Sequence, residues 1–290
     1  MCKKFRFIDL FAGIGGFHYA MHDLGGKCVF ASEIDKHARE TYIENFKSIS
    51  KHIFKGANFN EDITKINPTD IPDFDVLCAG FPCQPFSQAG FKKGFKDHRG
   101  NLFFNIAKII EQKKPKAYFL ENVRGLYKHD NGKTFKVIHD VLSDMGYSVN
   151  HKIVNASDYG LPQHRPRVFI IGFKEDSLLT GFDFPEKIPL KYNMSDVMEG
   201  SCNKEIGFTL RCGGRGSPIN DRRNWDSYEV NGKVVRLNPV QGLKMQGFPN
   251  EFIFPVTDHQ AMKQLGNSVA VDAIRMCGKA MVDYIFYNNV

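Results

Sequence analysis

Apolar residues along the chain come in short unbroken runs and not in the strict alternation of half-exposed strands. Residues 5–11 read Phe-Arg-Phe-Ile-Asp-Leu-Phe, 75–79 read Asp-Val-Leu-Cys-Ala, 116–120 read Lys-Ala-Tyr-Phe-Leu and 168–173 read Val-Phe-Ile-Ile-Gly-Phe; 27–32 form a further run. Runs of this length, bounded by turn residues, predict strands buried on both faces, as in a parallel sheet covered by helices. Another strand is expected near 147–154, and the end of one more at Asp62-Ile63. Helices are expected over 17–24, 36–45, 101–112 and 132–145, the first ended by Gly25-Gly26. Strand and helix alternate as far as residue 174, so the expected fold class is α/β with a doubly wound, mostly parallel sheet. After 174 the alternation stops. Residues 183–235 are rich in Gly, Asn, Asp, Ser and Arg, which predicts a smaller, irregular domain. Short helices over 239–246 and 258–264 then lead to a final helix, opened by Gly266-Asn267-Ser268-Val269 and running to about residue 286.

In an open α/β sheet, ligands sit beyond the carboxyl ends of the strands. The residues expected there carry chemistry. After the first strand, Ala12-Gly13-Ile14-Gly15-Gly16 lets the backbone approach a ligand at a helix N-terminus, although a glycine turn of this kind can also be purely structural. Its G-x-G-G spacing does not meet the G-x-G-x-x-G dinucleotide fingerprint. Glu33 ends the second strand, where an acid can bind ribose hydroxyls. Asp62 follows the third, Cys83 the fourth and Glu121 the fifth. Cys83 stands between Pro82 and Pro85 in a segment too rich in proline for helix or central strand. Taken alone it is equally a buried, inert thiol. Residues 84–100 form a long glycine-containing basic stretch with little periodicity, expected to be a functional loop or lid.

Composition narrows the class. A chain of 290 residues with 42% hydrophobic and 24% charged residues buries a full core and is not disordered. The net charge of +7 favours polyanionic partners without identifying one. Seven cysteines, at 2, 28, 78, 83, 202, 212 and 277, form no C-x-x-C pair and no cluster with zinc spacing, so neither a metal nor disulfides are expected. No stretch approaches the roughly 18 apolar residues of a membrane span, and Asp9 interrupts what would be a signal core. A cytoplasmic protein is expected. Residues 211–225 hold four of the twelve arginines and the one tryptophan. Arginine suits bidentate contacts with guanine and phosphate, although a solvated surface loop has the same composition.

Assembled, these residues resemble the DNA cytosine-5 methyltransferases, in the layout of the short bacterial modification enzymes. The matching segments, in the family's order, are Phe7 to Gly16, Gly80 to Ser87, Glu121-Asn122-Val123, and Gln163-x-Arg165-x-Arg167. Arg236-Leu237-Asn238-Pro239, Gln246-Gly247-Phe248-Pro249 and Gln264-x-Gly266-Asn267-Ser268-Val269 follow. The resemblance implies a methyltransferase fold using S-adenosylmethionine and no metal. It divides the chain into a catalytic domain, 1–186 plus 266–290, and a target-recognition domain, 187–265. It assigns the cofactor to Phe11, Gly13, Ile14, Gly15, Gly16, Glu33, Ile34, Asp62, Ile63, Gly80, Pro82, Leu102, Asn267, Ser268 and Val269. Catalysis falls to Cys83, Glu121, Asn122, Arg165 and Arg167. DNA contacts fall to Gln84, Ser87, Arg99, Thr209, Arg211, Gly213, Gly214, Arg215, Arg222, Arg223 and Trp225. Double-stranded DNA is the implied partner, a restriction endonuclease acting on the same site a further one, and a monomer is expected.

The chemistry explains why these residue types are needed. C5 of cytosine is a poor nucleophile until a thiolate adds to C6, which makes Cys83 the candidate nucleophile. Charge loaded onto the ring must be neutralised as it develops, by a protonated Glu121 at N3 and by Arg165 at O2. A stacked base is out of reach, so it must be flipped at a cost of about a few kcal/mol. The runner-up is a transfer-RNA cytosine-5 methyltransferase of the same fold. That branch carries Thr where this chain has Ser87, and a Cys-Phe-Thr segment that is absent here. A catalytically dead DNA-binding module conflicts with the intact Cys83, Glu121 and Arg165. The glycine spacing disfavours a nicotinamide dehydrogenase.

Overall fold

The structure, a computed structural model, describes residues 4–82, 102–174 and 181–286. The strands β1 (Phe5–Leu10), β2 (Gly26–Ser32), β3 (Phe59–Asn60), β4 (Val76–Gly80), β5 (Ala117–Val123), β6 (Asn150–Asn155) and β7 (Pro166–Phe173) form one sheet in the order β3-β2-β1-β4-β5-β7-β6. The first five are parallel, as near-continuous apolar strands require. β7 is antiparallel to both β5 and β6, so it starts at the edge where β5 ends, with Val123 opposite Arg167.

β1, β2, β4, β5 and β7 each feed two apolar layers. In β1, Phe5 and Phe7 join one cluster while Ile8 and Leu10 join the other. The first layer is closed by α1 (Gly16–Asp23) and α2 (Lys36–Phe46), the second by α3 (Leu102–Lys113) and α5 (Lys133–Asp144), which follows the single turn α4 (Gly125–Lys128). This is the doubly wound arrangement that the alternating pattern predicts.

Three details differ from the sequence-based expectation. β3 ends at Asn60, and Asp62 instead caps a short 3-10 turn by accepting from the Thr64 N–H at 3.0 Å. Glu121 and Asn122 lie inside β5 and not beyond it, because pairing to both β4 and β7 carries the strand through Val123. The last helix, α9, spans Val271–Phe286, since residues up to Asn267 complete the preceding helix.

The region after 181 has more order than its composition implies. It contains α6 (Met194–Met198), a hairpin of β8 (Ser227–Val230) and β9 (Lys233–Arg236), α7 (Pro239–Gln246) and α8 (Asp258–Asn267). Asn231 and Gly232, at φ +50° and +75°, make the two-residue turn that matches strand twist. Trp225, Tyr228, Leu237 and Met245 are buried, and they belong to the same apolar cluster that α9 closes on the sheet.

Candidate active site

A cavity of about 590 Å³ opens along the carboxyl edge of the sheet. Its wall carries Phe11, Gly13, Ile14, Glu33, Ile34, Asp62, Ile63, Gly80, Pro82, Leu102, Glu121, Asn122, Arg165, Arg167 and Asn267, so residues at or just after the carboxyl ends of five strands, at the entrance of β7 and at the α8 terminus converge. Gly15, Gly16, Ser268 and Val269 stand behind the wall: a Cβ on Gly16 would come within 2.5 Å of Val269 Cγ2. Gly15 has φ +88°, and a Cβ there would meet Phe46 Cε2 at 2.1 Å, so only glycine fits. Because Gly15 has no side chain to cap α1, the fully buried Asp9 does so, its Oδ2 accepting from the His18 N–H at 3.2 Å.

At one end of the cavity, Glu33 Oε2 accepts from the Gly13 N–H at 2.7 Å and Oε1 from the Asp35 N–H at 2.8 Å. These bonds fix the carboxyl group while leaving lone pairs for hydroxyl donors. Burial pushes its pKa up, and the two backbone bonds pull it back. Beside it, the Ile34 side chain is 71% exposed on the cavity wall, an apolar face suited to a flat ring. Phe11 holds φ +55°, a left-handed conformation that a bulky residue rarely adopts and that marks a functional turn. Hydroxyl acceptors, an apolar wall and a glycine turn together suit an adenosine-bearing cofactor such as S-adenosylmethionine.

At the other end, Glu121 lies opposite Gly80 in the β4–β5 ladder. Its Oε1 pairs with Arg167 Nε at 3.1 Å. Burial raises the Glu121 pKa above the ordinary carboxylate value, opposed first by Arg167 and then by Arg165. Asn122 Nδ2 donates to Phe81 O at 2.9 Å, tying β5 to the segment that leads to Cys83. Cys83, Gln84, Ser87 and Arg99 lie outside the described residues.

Arg165 occupies a different position from the one expected. It precedes β7 and is 2% exposed. Its Nη1 donates to Leu210 O at 3.0 Å, and its Nη2 to Gly266 O at 3.0 Å and also to Ser268 O. Among the described residues its Nε–H has no partner. The guanidinium paired with Glu121 is that of Arg167.

The arginine-rich segment also divides. Arg211 and Arg222 are exposed, and Arg223 is exposed but pairs with Asp221 at 2.7 Å. Arg215 turns inward: its Nε meets the fully buried Asp226 at 3.2 Å and its Nη2 donates to Leu237 O at 2.6 Å. Trp225 is 1% exposed and donates its indole N–H to Gly213 O at 3.0 Å, so it has no face to offer a base. Trp225 is therefore a core residue and not the DNA contact expected of it, since the aromatic bulk that suits stacking fills the small core. Gly213 and Gly214 are exposed, and Thr209 donates its hydroxyl to His164 O.

Gln260, Lys263 and Gln264 also line the cavity and were not anticipated individually. Their spacing with Asn267 places them on one face of α8, a signal present in the sequence once that helix is recognised. Gln264 accepts from the Thr41 hydroxyl at 2.9 Å, while its buried Nε2 has no partner among the described residues. Among the described residues no group of three or more His, Cys, Asp or Glu is arranged to hold a metal ion, and no helix is long and apolar enough to cross a membrane.

Comparison with known proteins gives a consistent picture. The profile of the family described as C-5 cytosine-specific DNA methylase matches residues 5–211 and 203–283. Type II methyltransferase M.DsaV of Dactylococcopsis salina is 41% identical over 315 residues, covering 98% of this chain and 87% of that protein. Type II methyltransferase M.HpaII of Haemophilus parainfluenzae is 40% identical over 330 residues, covering 97% and 90%. Among solved structures, a DNMT2 variant of Spodoptera frugiperda superposes with a TM-score of 0.73 at 19% identity, over 95% of this chain and 99% of that one. That last likeness is one of fold.

Proposed function

The chain belongs to the C-5 cytosine-specific DNA methylases, and from that membership and the cavity we propose that it modifies a short DNA sequence by flipping out one cytosine and methylating its C5. One observation supports the reading most: the Glu33–Gly13 cradle and the Glu121–Arg167 pair open into a single cavity, so a nucleoside cofactor and a flipped base can lie against each other there.

S-adenosylmethionine, when bound, supplies a methyl group on a sulfonium centre. The residues of the chain do the rest. Glu33 accepts the ribose hydroxyls, Ile34 and Phe11 flank the adenine, and Asn267 closes the wall. Cys83, the next residue in sequence after the cavity-lining Pro82, adds as thiolate to C6 of cytosine. Glu121, its pKa raised by burial, donates to N3 from its protonated form as charge enters the ring. Arg167 holds that carboxyl group in place and offsets the charge it acquires. C5 would then take up the methyl group as its bond to the sulfonium sulfur breaks, leaving S-adenosylhomocysteine, and water or hydroxide would remove the C5 proton as the Cys83 thiolate is expelled.

Residues 187–265 form the target-recognition domain and 1–186 with 266–290 the catalytic one. The enzyme acts as a monomer, and its counterpart is a restriction endonuclease of the same specificity, a role in keeping with the type II methyltransferase names of its relatives. The test is to incubate unmethylated plasmid DNA with the protein and cofactor and to map protected cytosines by bisulfite sequencing. One cytosine in one recurring sequence should be protected. A plasmid with no protected cytosine, or methyl label entering transfer RNA in preference to DNA, refutes the reading.

A further inference from the structure

The turn that leads into β7 does more than deliver arginines to the cavity. Gln163 is fully buried and bridges three segments: its Nε2 donates to Met245 O at 2.9 Å, and its Oε1 accepts from the Leu210 N–H at 3.1 Å. Gln246, also fully buried, donates to Leu265 O at 2.7 Å. Arg165 completes the junction with its three carbonyls, and its own N–H is held by Asn155 Oδ1 at 2.6 Å. Two of the segments it grips matter for function. Leu210 lies between Thr209 and the exposed Arg211, at the start of the arginine-rich stretch, and Gly266 and Ser268 flank Asn267 on the cavity wall.

The two segments also touch directly. A Cβ on Gly266 would come within 2.2 Å of the Arg211 carbonyl carbon and 2.4 Å of Cys212 N, so backbone lies against backbone. Neither segment can shift by an ångström without carrying the other or breaking the guanidinium fork between them.

We propose that Arg165 couples DNA recognition to cofactor binding: by holding Leu210, on the DNA-reading segment, and Gly266 and Ser268, on the cofactor-closing segment, in one planar fork, it makes each ligand favour the other. This rests on the DNA methyltransferase reading above. A ligand that fixes residues 266–268 restricts 210–212, and the reverse must hold by the same factor, because coupling between two binding equilibria is reciprocal. Arg165 is thus a positioning residue. A lysine keeps its charge but offers a single nitrogen, which cannot span carbonyls on both the Leu210 segment and the Gly266–Ser268 segment.

The test measures S-adenosylhomocysteine affinity by calorimetry on the full chain, alone and saturated with a short duplex carrying the site mapped by bisulfite sequencing. In the wild type the duplex should tighten the dissociation constant by roughly tenfold, and S-adenosylhomocysteine should tighten duplex binding equally. In Arg165→Lys both factors should fall below about twofold. A variant that keeps the wild-type factor overturns the proposal, and so does a wild type whose affinity ignores the duplex. Should Arg165→Lys fail to fold, amide exchange on the wild type decides: S-adenosylhomocysteine alone must slow exchange across 207–212, and unchanged exchange there overturns the proposal. A wild type that binds no S-adenosylhomocysteine at all strikes the cofactor assignment itself, a failure distinct from loss of coupling.

Discussion

Replacing Arg215 separates two kinds of arginine that composition alone cannot tell apart. Arg215→Ala leaves the fully buried Asp226 carboxylate without its cation and the Leu237 carbonyl without its 2.6 Å donor. Removing one partner of a buried pair costs about 3–5 kcal/mol. Two features reduce this. The Arg215 side chain is 29% exposed, and Asp226 still accepts from the Gly216 N–H at 3.3 Å. A loss of about 2–3 kcal/mol is therefore expected, which lowers the melting temperature of a chain this size by roughly 4–6 °C. Arg222→Ala, at an exposed position, should change stability by less than about 0.5 kcal/mol while weakening DNA binding. The assays are scanning calorimetry on both variants and DNA titration across salt concentrations. If Arg222 meets phosphate, its loss should reduce the salt slope by about 1 uniformly across sequences; if it reads a base, discrimination falls instead. An Arg215→Ala protein with wild-type melting and lost discrimination would refute the reasoning. Neutralising the orphaned acid, in Arg215→Ala with Asp226→Asn, should recover part of the lost stability.

Three further outcomes are expected. Cys83→Ala should lose methyl transfer while retaining DNA binding by gel shift; turnover near wild type would remove Cys83 as nucleophile. Glu121 has a raised pKa, so the activity that depends on its proton persists below that pKa and is lost as pH rises through it. The falling limb of the kcat/KM profile should vanish in Glu121→Gln, with the rate down by roughly 10²–10⁴, and should move to higher pH in Arg167→Ala, which removes the strongest influence lowering that pKa. Glu33→Gln sets an amide N–H against the Gly13 or Asp35 N–H, and should weaken S-adenosylhomocysteine binding by roughly tenfold in calorimetry; unchanged affinity would move the ribose elsewhere.

Much of the α/β half could be read from the chain because parallel strands buried on both faces are apolar throughout, and the turns between them are punctuated by glycine and capping residues. The convergence of Gly13, Glu33, Asp62 and Glu121 followed from one topological rule. What escaped depended on partners distant in sequence. Period-two alternation treats Arg165 and Arg167 as equals, yet β7 starts at Pro166, and only Arg167 pairs with Glu121. Arg165 is occupied by carbonyls 45 to 103 residues away. Arg215 and Trp225 lie in a stretch whose composition resembles a solvated loop, and their burial depends on Asp226 and on a hairpin behind them. That hairpin had a local sign, Asn231-Gly232 between β-prone residues, obscured by the polar sequence around it.

The reversed direction of β7 has a consequence for how the chain tolerates changes in length. A strand run backwards presents its entrance at the reactive edge and its exit at the opposite rim, where Phe173 lies beside Ala117 at the start of β5. Residues added between Asn155 and Gln163, a largely buried connection, would disturb the delivery of Arg167 to Glu121 and of Arg165 to its carbonyls. Residues added just after Lys174 would leave that register alone, since every pair from Val123–Arg167 to Ala117–Phe173 is set before the chain departs. The rim beyond β7 is therefore the place to graft a tag, a linker or a second domain, and the hairpin entrance is the place where even a one-residue insertion should silence the protein.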